Sequence, residues 1–356
     1  MMKVQTVNTT PCKAGFDLTP GMPAHLAAGR ILQSLFHTMQ ANEAGMAQNI
    51  DTECLHDFRI SVRRTRTALA RFKSVLPRQF VQQFRSEFTW LGNVTTPPRD
   101  LDVFLLDFDT YQQALPASMQ KDLKPFRLLL QRKLGASQQM LIKHLHSARY
   151  LRLKQQWSDA LEQSLSEAFE PAAKEMPAIA LARQCIGKQF RRILRKGAAI
   201  HRHSPAQDLH KLRKSCKKLH YLTGFFRHLY PPREIKALLK QVKRLQNNLG
   251  MFQDLTVQSS TLQAISREMK NAGALSQDSD HAMDVLIDQL HGRRKNRARL
   301  LPAVSKSLHT KKTAIASNGC WQGRRHEHIG STVSHRNNPL LRPICGWNSE
   351  VTEHGY

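Results

Sequence analysis

A short cationic motif occurs twice in this chain, and that repeat constrains the fold more than any other feature. Leu55-His56-Asp57-Phe58-Arg59 runs into Arg63-Arg64-Thr65-Arg66, and Leu209-His210-Lys211-Leu212-Arg213 runs into Lys217-Lys218. His56 and His210 lie 154 positions apart, and the same offset pairs Phe36 with Phe190, Phe72 with Phe226, Pro77 with Pro231, Asp100 with Asp254, and Val103 with Val257. A register held over so long a stretch describes two copies of one helical unit. Each copy must bury the same face and leave the same face to solvent.

A helical wheel identifies those faces. At about 100° per residue, Arg66, Arg59 and Arg63 follow His56 at about 280°, 300° and 340°, which makes one cationic stripe. Phe58, Val62, Leu69, Phe72 and Leu76 gather at about 160° to 240°, an apolar stripe for packing. In the second copy His210, Arg213 and Lys217 take the same angles and His220 replaces Arg66. Leu212, Cys216, Leu219, Thr223 and Phe226 supply its packing face. Side chains three and four residues apart on a helix sit about 5–6 Å apart, so each stripe is a ladder able to meet successive anionic groups of a linear polymer. Guanidinium forks two donors onto a phosphate, whereas ammonium acts as a compact charge. A nearby phosphate raises the pKa of histidine, so binding is expected to tighten as the pH falls toward about 6.

The remaining pattern is helical throughout. Amphipathic segments are expected from Ala24 to about 49, 52 to 76, 78 to 91 with Gly92 as a C-cap, and onward from Arg99 after a break at Pro97-Pro98. Others cover about 118 to 147 and 150 to 168. The second unit should repeat the plan near 178 to 202, 206 to 230, 233 to 249 and 254 to 271, with one more near 280 to 300. Alternating β-branched runs bounded by turn dipeptides are missing, so the fold class is all-α. Residues 1–21 read as a flexible N-terminal segment, 22–300 as the folded domain (repeat one about 22–147, repeat two about 176–300), and 301–356 as a disordered basic tail. His326, Glu327, His328 and His335 fall in that tail, where nothing would hold them together as metal ligands.

Charge narrows the partner. Fifty-four Lys+Arg against 27 Asp+Glu leave a formal +27, a self-repulsion best relieved by a polyanion. Residues 183 to 244 hold 18 Lys/Arg and two acids, Asp208 and Glu234, so the second repeat carries most of the excess. Within it, Lys188, Arg191 and Arg195 on one expected helix and Lys236, Lys240 and Lys243 on another could extend the binding groove. The cysteines at 12, 54, 185, 216, 320 and 345 form no CxxC pair and read as reduced thiols. With no signal-peptide core and no 18-residue apolar run, a cytoplasmic location is expected and a membrane is not.

The two motif copies resemble the paired signature of the CHAD domain, the conserved histidine α-helical domain. The similarity extends to Arg99-Asp100-Leu101-Asp102-Val103 and to the stretch Leu245-Gln246-Asn247-Asn248-Leu249-Gly250-Met251-Phe252-Gln253-Asp254, and it spans about residues 22 to 300. It implies two four-helix bundles related by pseudo-twofold symmetry and a basic surface that binds inorganic polyphosphate, in bacteria at polyphosphate granules. By motif match, His56, Arg59, Arg63, Arg64, Arg66, His210, Arg213, Lys217 and Lys218 inherit the binding role. Leu219-His220 stands where the family pattern often has another basic residue, and Gln253 where the first copy has Arg99. Many members carry an N-terminal triphosphate tunnel domain marked by Glu-x-Glu-x-Lys; that pattern is missing here, so a stand-alone domain is expected.

Three other readings compete. A nucleic-acid-binding protein would suit the net charge. It lacks interleaved aromatics, however, because Tyr221 is the sole candidate for base stacking in the second stripe and the first has none. A polyphosphate-processing enzyme would need a carboxylate cluster for metal, and Asp100, Asp102 and Asp254 read more simply as helix-start residues. A metal site at His56 or His210 would be repelled by the arginines around it. The expected protein is therefore not an enzyme, has no cofactor, and uses no catalytic or metal-binding residue.

Overall fold

A computed structural model of the chain describes residues 16–48, 51–165, 176–201 and 204–310. The all-α class holds: among these residues there is no strand, only an isolated β-bridge between Pro23 and Pro177. The first half forms α1 (Ala24–Ala47), α2 (Thr52–Arg71), α3 (Arg78–Val94), α4 (Thr96–Leu106), α5 (Phe108–Ala114), a 3-10 turn (Ala117–Leu123), α6 (Lys124–Leu145) and α7 (Ala148–Leu165). The second forms α8 (Ala178–Ala198), α9 (Ala206–Phe225), a 3-10 turn (Arg227–Leu229), α10 (Pro232–Asn271) and α11 (Gln277–Thr310).

Helix starts keep the register of the sequence. The pairs α1/α8, α2/α9 and α3/α10 begin at 24/178, 52/206 and 78/232. Local chemistry sets several ends. The Asp51 side chain accepts a 2.9 Å hydrogen bond from the Glu53 amide and caps α2. At the far end of α10 the chain turns through Gly273, at φ +62°, while the amides of Gly273 and Ala274 donate to Lys270 O and Met269 O. That is a Schellman closure, which needs the left-handed conformation glycine adopts freely.

The halves diverge after α3. Pro97 and Pro98 force a new start at Thr96, and they occupy the first turn of α4 instead of preceding it. The positions 154 residues on are Met251 and Phe252, which keep their backbone donors. The second-half helix therefore does not break near 249–254; α10 runs unbroken through Gly250 and Asp254, about 60 Å in all. Gly92 does not cap α3 but lies inside it. At the end of the domain α11 continues past 300, through Pro302 to Thr310. Residues 311–356 of the expected tail, with His326, Glu327, His328 and His335, lie outside the described residues. So do residues 1–15 of the expected flexible segment, but Phe16 and Leu18 are buried, and Phe16 meets Phe225 edge-on at 5.7 Å.

Apolar side chains sort into two cores. One gathers α1, α2, α3, the C-terminal end of α6, α7, α8, α9 and the N-terminal part of α10. The other gathers α4, α5, the first 3-10 turn, the N-terminal part of α6, the C-terminal part of α10 and α11. Each core takes helices from both halves, so the division between cores is not the division between repeats. Contacts between the halves are reciprocal. Ala24 N donates to Met176 O at 2.8 Å while Ala178 N donates to Met22 O at 2.7 Å, and Phe72 meets Phe226 at 5.7 Å. All of these pairs keep the 154-residue offset, as a twofold relation requires.

Trp157 on α7 anchors the first core. It is fully buried and lies 5.2, 4.7 and 4.7 Å from the rings of Phe80, Phe84 and Phe88 on α3. Trp157→Ala is expected to destabilise the protein by about 3–5 kcal/mol. Trp157→Phe should cost less, because it keeps a ring and removes an indole N–H that has no hydrogen-bond partner. Urea midpoints of the two variants measure the difference.

Candidate anion-binding surface

The motif helices α2 and α9 pack against each other, and their cationic stripes meet instead of lying on separate faces. Arg63 and Lys217 occupy equivalent positions in the two halves, and the charge of Arg63 acts on Lys217. Around this centre the couplings are reciprocal: Arg64 acts on His220, and Arg66 acts on Lys218. Those pairs are exchanged by the same 154-residue offset as the contacts in the core. The Arg64 guanidinium also lies 5.8 Å over the ring of Tyr221. Tyr221 itself is buried at 8% exposure and offers no free face to a nucleic-acid base.

Crowding shows in the titration of these groups. Burial, then Arg63 and Arg213, push the Lys217 ammonium down to about 8. Lys218 is lowered by burial and then by Arg71, Arg192, Lys196 and Arg66. His220 is lowered by burial, Arg64 and Lys243. Burial and Arg99 likewise lower His56 below its ordinary 6.5. In the unliganded protein His56 and His220 are therefore harder to charge, and Lys217 is brought down toward the neutral range.

Exposure separates the nine motif residues. Arg66 is exposed, whereas His56, Arg59, Arg63, Arg64, His210, Arg213, Lys217 and Lys218 are half-buried. Arg59 and Arg213 are engaged by the fold. Arg59 Nη1 donates to Thr95 Oγ1 (3.2 Å) and Thr96 Oγ1 (2.9 Å) at the α3–α4 junction. Arg213 Nη1 donates to Gly250 O (3.3 Å) and Asp254 Oδ1 (2.7 Å) on α10. Threonine 96 and Gly250, like Asp100 and Asp254, are equivalent positions, so both arginines staple a motif helix to the same place in its own half. The expectation of a stripe left wholly free is corrected here. The wheel places Arg59 and Arg213 on the stripe, but the long-range neighbours α4 and α10 cover part of it.

Gly92 serves this surface. A Cβ there would lie 2.8 Å from Arg66 Nη1, so the missing side chain is the space the guanidinium occupies.

The carboxylates of Asp100, Asp102 and Asp254 lie near the same cations. Asp254 holds Arg213, Asp100 lies among Arg59, Arg63 and Arg99, and Asp102 is 3% exposed with Arg99 as its charged neighbour. None of the three sits in the first turn of a helix, so they are not helix-start residues. Glu53, His56 and Asp57 offer ligand atoms within 4.8 Å of one another. The Arg99 guanidinium lies 3.9 Å from Glu53 and donates to Thr52 O, so the positive charge at that cluster is the protein's own.

Three cations on the surface lie outside the motif. Arg71 reaches across to α8 and donates to Gln189, whose amide donates to Ser215 O at 2.7 Å. Arg192 is exposed beside Arg71 and Lys218. Lys196 donates to Lys211 O and Ser215 Oγ. Arg192 stands four residues after Lys188, so helical spacing could have found it; Arg71 and Lys196 lie off the wheel stripes and depend on tertiary contact. Lys188, Arg191 and Arg195 on α8 and Lys236, Lys240 and Lys243 on α10 are exposed. Cys54, Cys185 and Cys216 are buried free thiols, and Cys12, Cys320 and Cys345 lie outside the described residues. No helix among the described residues is long and apolar enough to cross a membrane.

The family model for the CHAD domain matches residues 30–263 of this chain. Among solved structures, a CHAD domain from the plant Ricinus communis is 25% identical, with a TM-score of 0.68 over 82% of this chain and 93% of that one. PptA from Streptomyces chartreusis shares the fold at 15% identity, with a TM-score of 0.62 over 80% of this chain and 99% of that one. No curated protein matches the chain.

The staple role has a measurable consequence. Arg213→Ala should destabilise the fold by about 1–2 kcal/mol, a charged hydrogen bond discounted for the exposure of Asp254. Lys188→Ala on the exposed face of α8 should stay within about 0.5 kcal/mol of the parent. Equal urea midpoints for the two variants would show that Arg213 is a surface charge and not a staple.

Proposed function

This chain belongs to the CHAD domain family, a polyphosphate-related family, and on that premise we propose that it binds inorganic polyphosphate along the joined cationic surface of α2 and α9. The observation that carries the proposal is the packing of the two motif helices on each other, which sets Lys217 within the field of Arg63 and Arg213. Like charges placed side by side and half-buried are costly in the free protein, and a run of phosphates between them removes that cost. Arg63, Arg64, Arg66, Lys217 and Lys218 are the principal anion contacts. His56 and His210 flank them, and Arg59 and Arg213 hold the motif helices in place while lending charge.

On this reading binding proceeds without chemistry, with Asp254 paired to Arg213 and Asp100 beside Arg59, Arg63 and Arg99. A cytoplasmic protein associated with polyphosphate granules follows from it. Nucleic acid is the weaker partner, because the stacking candidate Tyr221 is buried.

Competition separates the two polyanions, since affinity for either falls steeply with salt. At about 150 mM salt, long-chain polyphosphate should displace duplex DNA from the protein. Paired Arg63→Gln and Lys217→Gln substitutions should remove most polyphosphate binding while the helical circular dichroism signal persists. DNA binding that equals or exceeds polyphosphate binding would overturn the assignment.

The pH dependence carries its own sign. Lys217 is lowered to about 8 in the free protein from an ordinary 10.5, and bound phosphate should raise it again. Binding between those values takes up a proton, so affinity should be highest below pH 8 and fall as pH rises through it. Lys217→Arg keeps its charge over that range and should flatten the profile. A fall that persists in Lys217→Arg would assign the titration to another group.

A further inference from the structure

Beyond the paired stripes, the equivalent helices of the two halves differ in charge. On α8 the residues Lys188, Arg191, Arg192 and Arg195 are exposed and spaced three and four apart. Their equivalents on α1 are Ser34, His37, Thr38 and Ala41, none of them Lys or Arg. The same holds for the helix on the other flank. Lys236, Lys240 and Lys243 are exposed on α10, where α3 has Gln82, Ser86 and Thr89. Both basic ladders connect to the central surface. Arg192 acts on Lys218, and Lys243 acts on His220, so each ladder begins at an α9 residue of the paired stripes. Helices α8 and α10 both pack on α9, the helix that carries the second stripe.

Resting on the polyphosphate reading above, we propose that the site selects long chains through a one-sided extension: the polymer is gripped at α2 and α9 and continues only over the second half, along α8 and the N-terminal part of α10. A short anion is satisfied by the central cations. A long one gains further contacts on one flank and none on the other, because α1 and α3 present no cation at the equivalent positions. The ladders thus convert chain length into affinity without altering the central grip.

The test compares tripolyphosphate with long-chain polyphosphate on the full chain and on a Lys188→Gln, Arg191→Gln, Arg195→Gln variant. These side chains are exposed and outside the central surface, so the fold should be kept, as circular dichroism will verify. Long-chain affinity should fall about tenfold in the variant and its salt dependence should flatten by about 2 in log–log slope, one increment for each lost contact less a fraction. Tripolyphosphate affinity should change by less than about twofold, since the removed cations serve only longer chains. Equal losses for both anions, or no loss for either, would overturn the one-sided extension while leaving the central site in place. A parent protein that binds neither anion would sink the polyphosphate reading and the extension with it.

Discussion

The packing of α2 on α9 is the constraint on which the anion surface depends. It holds Lys217 half-buried, and burial first, then the charges of Arg63 and Arg213, take much of its basicity away. Nothing in that crowding of cations is favourable by itself. It persists because α2 and α9 are fixed by other means: by Phe72 against Phe226, by buried Phe58, Val62, Leu212 and Leu219, and by the Arg59 and Arg213 staples. Hydrophobic packing of several fully buried side chains, each contributing about 1.5–3 kcal/mol, readily outweighs one screened repulsion. The fold therefore holds an excess of positive charge there, only partly offset by Asp100 and Asp254.

Much of this was legible in the sequence, for a physical reason. Helical periodicity, caps and proline positions act locally, so the starts of α1, α3, α8, α9 and α10 follow from Pro23, Pro77, Pro177, Pro205 and Pro231, that of α2 from Asp51, and the amphipathic pattern continues each. The motif angles were equally readable, because a wheel depends only on the helix. What the wheel cannot contain is the neighbour. Arg59 and Arg213 lie on the cationic stripe by angle, yet α4 and α10 cover them, and those contacts span 36 to 41 residues of sequence. For the same reason Arg71 escaped notice: its partner Gln189 is 118 residues away.

The break expected near Gly250 shows which local signals are strong. A glycine inside a helix costs about 1 kcal/mol, an amount that packing overrides, whereas consecutive prolines remove donors and clash with the preceding turn. Only the first half has the prolines. The consequence reaches the second core, because α10, uninterrupted, carries Leu245 in one core and Leu262 in the other along a single rod. Asp254 rides on that rod and reaches Arg213, so the continuity of α10 positions a staple of the anion surface.

Symmetry of packing and asymmetry of charge have different roles here. A twofold frame with equal charge on both halves would present a polymer with two equivalent directions of exit, and the bound chain could slide between them at no cost. Charging α8 and α10 while leaving the equivalent positions of α1 and α3 without Lys or Arg removes that degeneracy without touching a core residue, because every position concerned is exposed or half-buried. Surface substitutions of this kind are nearly neutral for stability. The second half can therefore accumulate cations that the first half lacks, while the reciprocal contacts between Met22, Ala24, Met176 and Ala178 still hold the two halves in register.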